Sequence, residues 1–238
     1  YLAEKASTNL ALQSEDFTTS WPAGGLTIAP NVDVAPDGTT TMDRLAVTAA
    51  NVWHGVYQLV STTSGTNYTA SAYLKDDGAG FGTVSFGNSG NFVGVVVDLS
   101  TGLVTYTKVG TTSGTIVATG CDDVGNGVYR VWVSGSLASV SGGIVVTTAN
   151  TAEPLTWQGA APAYLGVLGE DILVWGAQLE LGTYPTSYIA TTTTAVTRNA
   201  DVLIAGDMVT DAAGTAYAEA SSIWSTASGS YALARDLS

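Results

Sequence analysis

The sequence predicts an all-β protein, a jelly-roll β-sandwich, and three observations carry that prediction. Apolar and polar residues alternate with a period of two along one segment after another, the spacing that buries one side of a strand and solvates the other. These segments recur roughly every 8 to 12 residues, with Gly, Asn, Asp, Ser and Pro between them, the rhythm of a sandwich or barrel. No segment sustains a helical period of about 3.6 residues between capping residues, so little helix is expected.

Residues 1–8 are mixed in character and read as a linker arriving from upstream. In NLALQSEDFTTSW, Leu10, Leu12, Phe17 and Trp21 predict a first strand and its hydrophobic landing. Ile28, Val32 and Val34 predict a second, stopped by the turn residues Ala35, Pro36, Asp37 and Gly38. Met42, Leu45 and Val47 resume strand character, with Asp43 and Arg44 read as surface charges. From Asn51, Trp53, Gly55, Tyr57 and Leu59 alternate with His54, Val56, Gln58 and Val60. TNYTASAYLKDD places Tyr68, Ala70, Ala72 and Leu74 on one face. Strands at 81–88 and 92–99 follow, and the turn DLSTG leads into one carrying Leu103, Val104 and Tyr106. A short strand at 116–119 and a turn at 122–127 precede VYRVWVSGSL, in which Tyr129, Val131, Val133 and Leu137 share a face. Segments 144–148 and 163–168 complete the set.

The closing strand is the most strongly patterned. Leu173, Trp175, Ala177, Leu179 and Leu181 share one parity, which assigns all five to one face. Gly182, Pro185 and a run of threonines then stop the strand and carry the chain away as an extended, Thr-rich connector over 183–201. The domain proper therefore spans 9–182. Residues 202–238 change character and are too few to enclose a core of their own, so they read either as strands added to the first domain or, the favoured reading, as the beginning of a second β domain.

Composition excludes several function classes. Of the 238 residues 45% are hydrophobic, enough for a sizeable core, while only 11% are charged, against roughly a quarter in typical soluble domains. The formal net charge of −13 argues against a partner that is nucleic acid or anionic lipid, both of which need a basic patch. Cys121 stands alone and His54 is the single histidine, so disulfide frameworks, Cys-based zinc sites and the usual catalytic triads have no residues to draw on. There is no apolar run of the roughly 18 residues that a membrane-spanning helix requires, so no membrane insertion is expected. Beginning at Tyr1 without an initiator Met or a signal peptide, the chain reads as a piece of a longer protein.

A family likeness is carried by NLALQSEDFTTSW, APDGTTTMDRL, the pair GVYQ and YTASAYLK, GNGVYRVWVS and, above all, WGAQLELGTYPTSYIATTTTAVTRNAD. Together these resemble the jelly-roll domain of phage and gene-transfer-agent fibres, the head-spike or tail-fibre module. That fold is also similar to the jelly-roll carbohydrate-binding modules of polysaccharide-degrading enzymes. The likeness covers residues 9–201 and is most specific over 175–198. Gly214, Thr215, Tyr217, Glu219 and Ala220 match the opening strand of the lectin-like second domain that follows in that family. The resemblance implies a virion-surface, non-enzymatic fibre or spike subunit, a homo-oligomer that meets other virion proteins and attaches to host surface glycan. A purely structural adaptor and the binding module of a secreted enzyme are the alternative readings.

For sugar binding the candidates are aromatic, because a ring stacks on the apolar face of a pyranose. Trp157, in the loop PLTWQGAAP, is the leading one; Trp53 with His54, Trp132 and Tyr106 stand behind it. Trp132 shares a parity with Arg130 and Ser134 and is expected exposed on a sheet, whereas Trp175 reads as core. Each of these aromatics also reads as a cap on the end of the sandwich. Jelly-roll modules of this kind often carry a structural calcium where first and last strands meet, which makes Glu15, Asp16, Glu170 and Asp171 its candidate ligands. The same residues read as exposed acidic turns, and Glu180 reads equally as a partner for Arg198 or as an acid catalyst. No carboxylate pair is marked by spacing for glycan hydrolysis, and no enzyme is expected.

Overall fold

The computed structural model describes residues 3–111, 114–138 and 141–202, and every regular element among them is a strand. In chain order these are β1 (Ser7–Asn9), β2 (Ala23–Gly24), β3 (Leu26–Val34), β4 (Thr40–Val47), β5 (Asn51–Trp53), β6 (Gly55–Ser61), β7 (Asn67–Asp77), β8 (Phe81–Asn88) and β9 (Asn91–Asp98). They continue as β10 (Leu103–Val109), β11 (Gly114–Gly125), β12 (Val128–Leu137), β13 (Ser141–Ala149), β14 (Trp157–Gln158), β15 (Ala161–Leu165), β16 (Asp171–Leu181) and β17 (Val196–Arg198). Two six-stranded antiparallel sheets, β10-β9-β8-β13-β6-β2 and β11-β12-β7-β16-β4-β3, form a β-sandwich of the jelly-roll kind. The chain passes directly from one sheet to the other after β2, β6, β7, β10 and β12, so sequence neighbours face each other across the core.

Alternation explains which residues meet there. Val56, Val84, Phe86, Val93, Val95, Val97, Ile144 and Val146 point inward from the first sheet. Leu45, Ala70, Ala72, Leu74, Val131, Val133, Ile172 and Val174 answer from the second. Each Val, Leu, Ile or Phe among them taken out of water contributes about 1.5–3 kcal/mol, depending on its size. Phe17 and Trp21 join this core from the segment after β1, their rings 4.9 Å apart.

The pattern of β16 is where parity alone misleads. A β-bulge between Trp175 and Gln178, with Gly176 at φ 62°, adds a residue and reverses the faces. Ile172 and Val174 before it, and Ala177 and Leu179 after it, all enter the inter-sheet core. Leu173 and Trp175 instead pack on the outer side with Tyr73, Met42 and Tyr188, and Leu181 is exposed. Because of the reversal Gln178 and Glu180 also face outward, yet both are fully buried.

What buries them is the segment expected to lead away. Residues 183–192 fold back across the outer face of the second sheet, burying Thr186, Ile189 and Thr191. Arg130 donates to the Thr186 carbonyl at 2.7 Å and Ser134 to that of Thr183 at 2.8 Å. This strap ends by pairing β17 with β1, Ser7 opposite Arg198. Residues 1–8 are accordingly in part a paired strand, and the compact unit reaches Asp201. The expected second β domain, with its match at Gly214 to Ala220, lies outside the described residues.

Two local expectations also change. Asp43 is buried and accepts hydrogen bonds from the backbone N–H of Phe17 and of Asn31, both at 2.9 Å, so it ties a loop and a bulged strand to β4. Burial pushes its carboxyl above the ordinary value despite those donors. β11 runs through both the short strand and the turn expected at 116–127, because bulges near Val117 and Val124 let it follow β12 along its whole length.

Two substitutions test this account. Gly176→Ala places a Cβ 2.8 Å from the Tyr73 ring at a positive φ, and urea unfolding is expected to show a loss of about 1–3 kcal/mol. Asn9 is buried and saturated, donating to the carbonyls of Ala177 and Ile189 and accepting from the N–H groups of Ala11 and Leu179. Asn9→Ala is expected to cost about 2–4 kcal/mol by the same measurement, since four backbone partners are orphaned.

Candidate functional site

The first sheet turns its other face away from the core, and the strand registers define what stands on it. Lys108, Gly94, Ser85, Val145 and Tyr57 lie opposite one another in a row across β10, β9, β8, β13 and β6. Four strand spacings separate the ends of that row, about 19 Å. Over this face the chain lays a small antiparallel sheet, β14-β15-β5. Phe92, Val145, Ala160 and Ala161 are buried between the two layers, with Trp53, Tyr57 and Trp157 packed against them.

Where the layers part, a groove of about 860 Å³ opens, within the range of roughly 300–1,000 Å³ usual for ligand sites. Trp53, Tyr57 and Leu59 line one side, the 87–90 turn and Phe92 another, Lys108 to Thr111 a third, and the 155–161 loop closes over them. Trp157 lies nearly parallel to Phe92, ring centroids 5.5 Å apart, and its indole N–H donates to the Pro154 carbonyl at 3.0 Å. Small residues make this possible. A Cβ on Gly110 would run into the Gly90 carbonyl oxygen and the Phe92 ring, and one on Gly87 into the Asn91 carbonyl oxygen and the base of Phe92, so glycine at both positions lets the backbone close in around that side chain in the floor. A Cβ on Gly24 would likewise overlap the Trp53 indole, which stands 5.9 Å from Tyr57. The aromatics are thus held by packing against backbone, and their exposed faces keep fixed positions. Polar groups from Asn88, Ser89, Thr111 and Gln158 stand around them; among the described residues Lys108 is the one charged side chain lining the groove, and no carboxylate does.

Of the residues singled out in the sequence, Trp157 and Trp53 meet in this groove. Tyr106 is on β10 two residues from Lys108, half-buried, and does not line it. His54 follows Trp53 but points the opposite way and is fully buried. Its Nδ1 lies 2.6 Å from the Gly25 carbonyl oxygen and its ring 4.7 Å from that of Tyr164. It is a structural link between β5 and the turn after β2, out of reach of any ligand. Trp132 is not exposed. It does face outward as its parity implies, but the strap covers it: Tyr184 lies 5.5 Å away, and the indole donates to Asp122 at 3.1 Å. Sequence reasoning missed Tyr57, Phe92 and Lys108. Tyr57 had a visible signal, since it shares the parity of Trp53 across a single alternating segment.

The acidic residues proposed for calcium are not brought together. The Ser14 carbonyl accepts from Ala177 N–H, which sets Glu15 and Asp16 beside the middle of β16, about 20 Å along the strand from Glu170 and Asp171 at its start. Three of the four are occupied locally. Glu15 accepts from the Tyr188 hydroxyl and Asp171 from Val47 N–H. Asp16 accepts from Thr18, whose hydroxyl holds the carboxyl below its ordinary value. No group of three or more His, Cys, Asp or Glu side chains suited to a metal exists among the described residues. Where β1 meets β16, the place suggested for the ion, the Asn9 side chain bridges the backbones. Arg198 pairs with Glu4 and leaves Glu180 to the strap.

No protein-family model matches the chain, and no curated protein matches its sequence. Among solved structures it is similar to endo-1,4-β-D-xylanase 10B of Clostridium thermocellum, solved as N-terminal CBM22-1–GH10 modules with xylohexaose. The identity is 13% and the TM-score 0.37, over 80% of this chain and 30% of that one. A likeness at that level carries no ligand across.

One titratable group outside the groove yields a prediction. Burial, with Asp122 and Asp123 beside it, pushes the Cys121 thiol up to about 12. It therefore remains a thiol near neutral pH, and iodoacetamide at about pH 8 is expected to modify it slowly in the folded protein and rapidly in urea. Equal rates in both states would contradict this environment.

Proposed function

We propose that this sandwich is a non-catalytic glycan-binding module whose ligand lies in the groove on the outer face of the first sheet. The observation that carries the reading is the pairing of Trp157, stacked on Phe92, with Trp53 and Tyr57 across one concave site. Aromatic faces suit the apolar C–H surfaces of sugar rings, while Asn88, Ser89, Thr111 and Gln158 supply groups of the kind that satisfy hydroxyls. A non-catalytic role fits the lining. Glycoside hydrolysis ordinarily needs two carboxyl groups flanking the scissile bond, and none among the described residues lines the groove.

The likeness of residues 175–198 to phage and gene-transfer-agent fibre modules supports placing the domain on a virion surface, where it attaches the particle to host polysaccharide. The same groove also serves a binding module joined to a secreted polysaccharide-degrading enzyme, or becomes incidental in a structural adaptor. Purified protein is expected to retain host capsule or surface polysaccharide in affinity electrophoresis. Trp157→Ala and Trp53→Ala are each expected to weaken retention about tenfold or more, as loss of a stacking aromatic does at sugar-sized contacts. Absence of retention by any host polysaccharide removes the glycan reading. Proteomics of purified particles separates virion from enzyme: detection of the chain in particles supports the first, and a catalytic domain in the same polypeptide supports the second.

A further inference from the structure

We infer that the groove selects a saccharide bearing an anionic group, carboxylate, sulfate or phosphate, which is received by Lys108; the inference rests on the glycan reading above. The argument is one of charge placement. The chain carries only 7 Lys and Arg residues against 20 Asp and Glu. Nearly every described cation is engaged within the fold. Arg44 pairs with Asp77, Lys75 with Asp33 and Arg198 with Glu4. Arg130 donates to Thr186 and Ser71, and Lys5 to the Leu181 carbonyl. Lys108 alone among the described Lys and Arg residues has no hydrogen-bond or ion-pair partner, and it stands in the groove, where no described acidic residue accompanies it.

A net charge of −13 repels polyanions at long range, but salt screens that field within about 8–10 Å. An unpaired ammonium at contact distance in a carboxylate-free site therefore decides which ligand is preferred. Lys108 and Tyr57 end the same cross-strand row, so an oligosaccharide stacked at the Tyr57 and Trp53 end spans toward the cation. As a point charge on a flexible stem, Lys accepts any of the three anions. The aromatics supply affinity and Lys108 the discrimination.

The test is an array of immobilised oligosaccharides at equal density, with uronate, sialylated, sulfated, phosphorylated and neutral chains. It is probed with the wild-type chain, Lys108→Gln, Lys108→Arg and Trp157→Ala, each first shown to melt as wild type does. The expected result is preference for one anionic class, which identifies the group. Affinity for that class should fall roughly tenfold in K108Q, the usual effect of losing one charge-assisted contact, and be largely kept in K108R. Raising salt from about 0.05 to 0.5 M should weaken wild-type binding and leave K108Q nearly unchanged. Binding of neutral chains that W157A abolishes and K108Q leaves intact overturns this inference while the glycan reading stands. Binding of no chain by the wild type overturns both.

Discussion

A saturated polar network on the outer face of the second sheet is the constraint on which the rest depends. The Glu180 carboxylate accepts from Ser7 on β1, from Gln178 on its own strand, and from both the N–H and the hydroxyl of Thr186 on the strap. Gln178 in turn accepts from Ile189 N–H, and Asn9 bridges β1, β16 and the strap. A buried charge or amide without partners is costly, and a fully satisfied one is specific, because no other arrangement meets all its bonds. The network therefore sets where the strap lies, and the strap decides that Trp132, Arg130 and Trp175 are interior. With that face closed by the chain itself, the first sheet is the one whose outer surface keeps a concave opening.

The groove follows a complementary logic. Its floor belongs to a sheet whose inward residues are fixed in the main core, so the outward residues of the same strands inherit that rigidity. Glycines let Phe92 and Trp53 seat against backbone, and the small three-stranded sheet holds Trp157 over them. The stacking surfaces are therefore largely positioned before any ligand arrives, which lowers the ordering cost of binding.

How much of this was legible in the sequence varies with the range of the interaction. The strand spacing, the inward alternation of Val131 and Val133, and the turn at Ala35 to Gly38 could be read directly, because they depend on neighbours one or two residues away. Trp157 and Trp53 could be named as separate candidates, but not as one site, since more than a hundred residues divide them and a third sheet joins them. Parity puts Trp132 on the right face and still misleads about its exposure, because it says which way a side chain points and nothing about what covers it. Glu15 and Glu170 belong to segments that do meet, since Leu10 N–H donates to the Leu179 carbonyl, yet they sit beside different levels of β16.

The sequence by itself determined an all-β sandwich, a low-charge surface and a set of aromatics available for stacking, because alternation, turn chemistry and composition are local properties. Only the tertiary structure decided which of those aromatics see solvent. The bulge at Gly176 reverses a strand whose apolar residues look uniform, and the strap returns where Gly182, Pro185 and the threonines read as an exit. Both outcomes depend on contacts between distant segments, and such contacts leave no period in the chain.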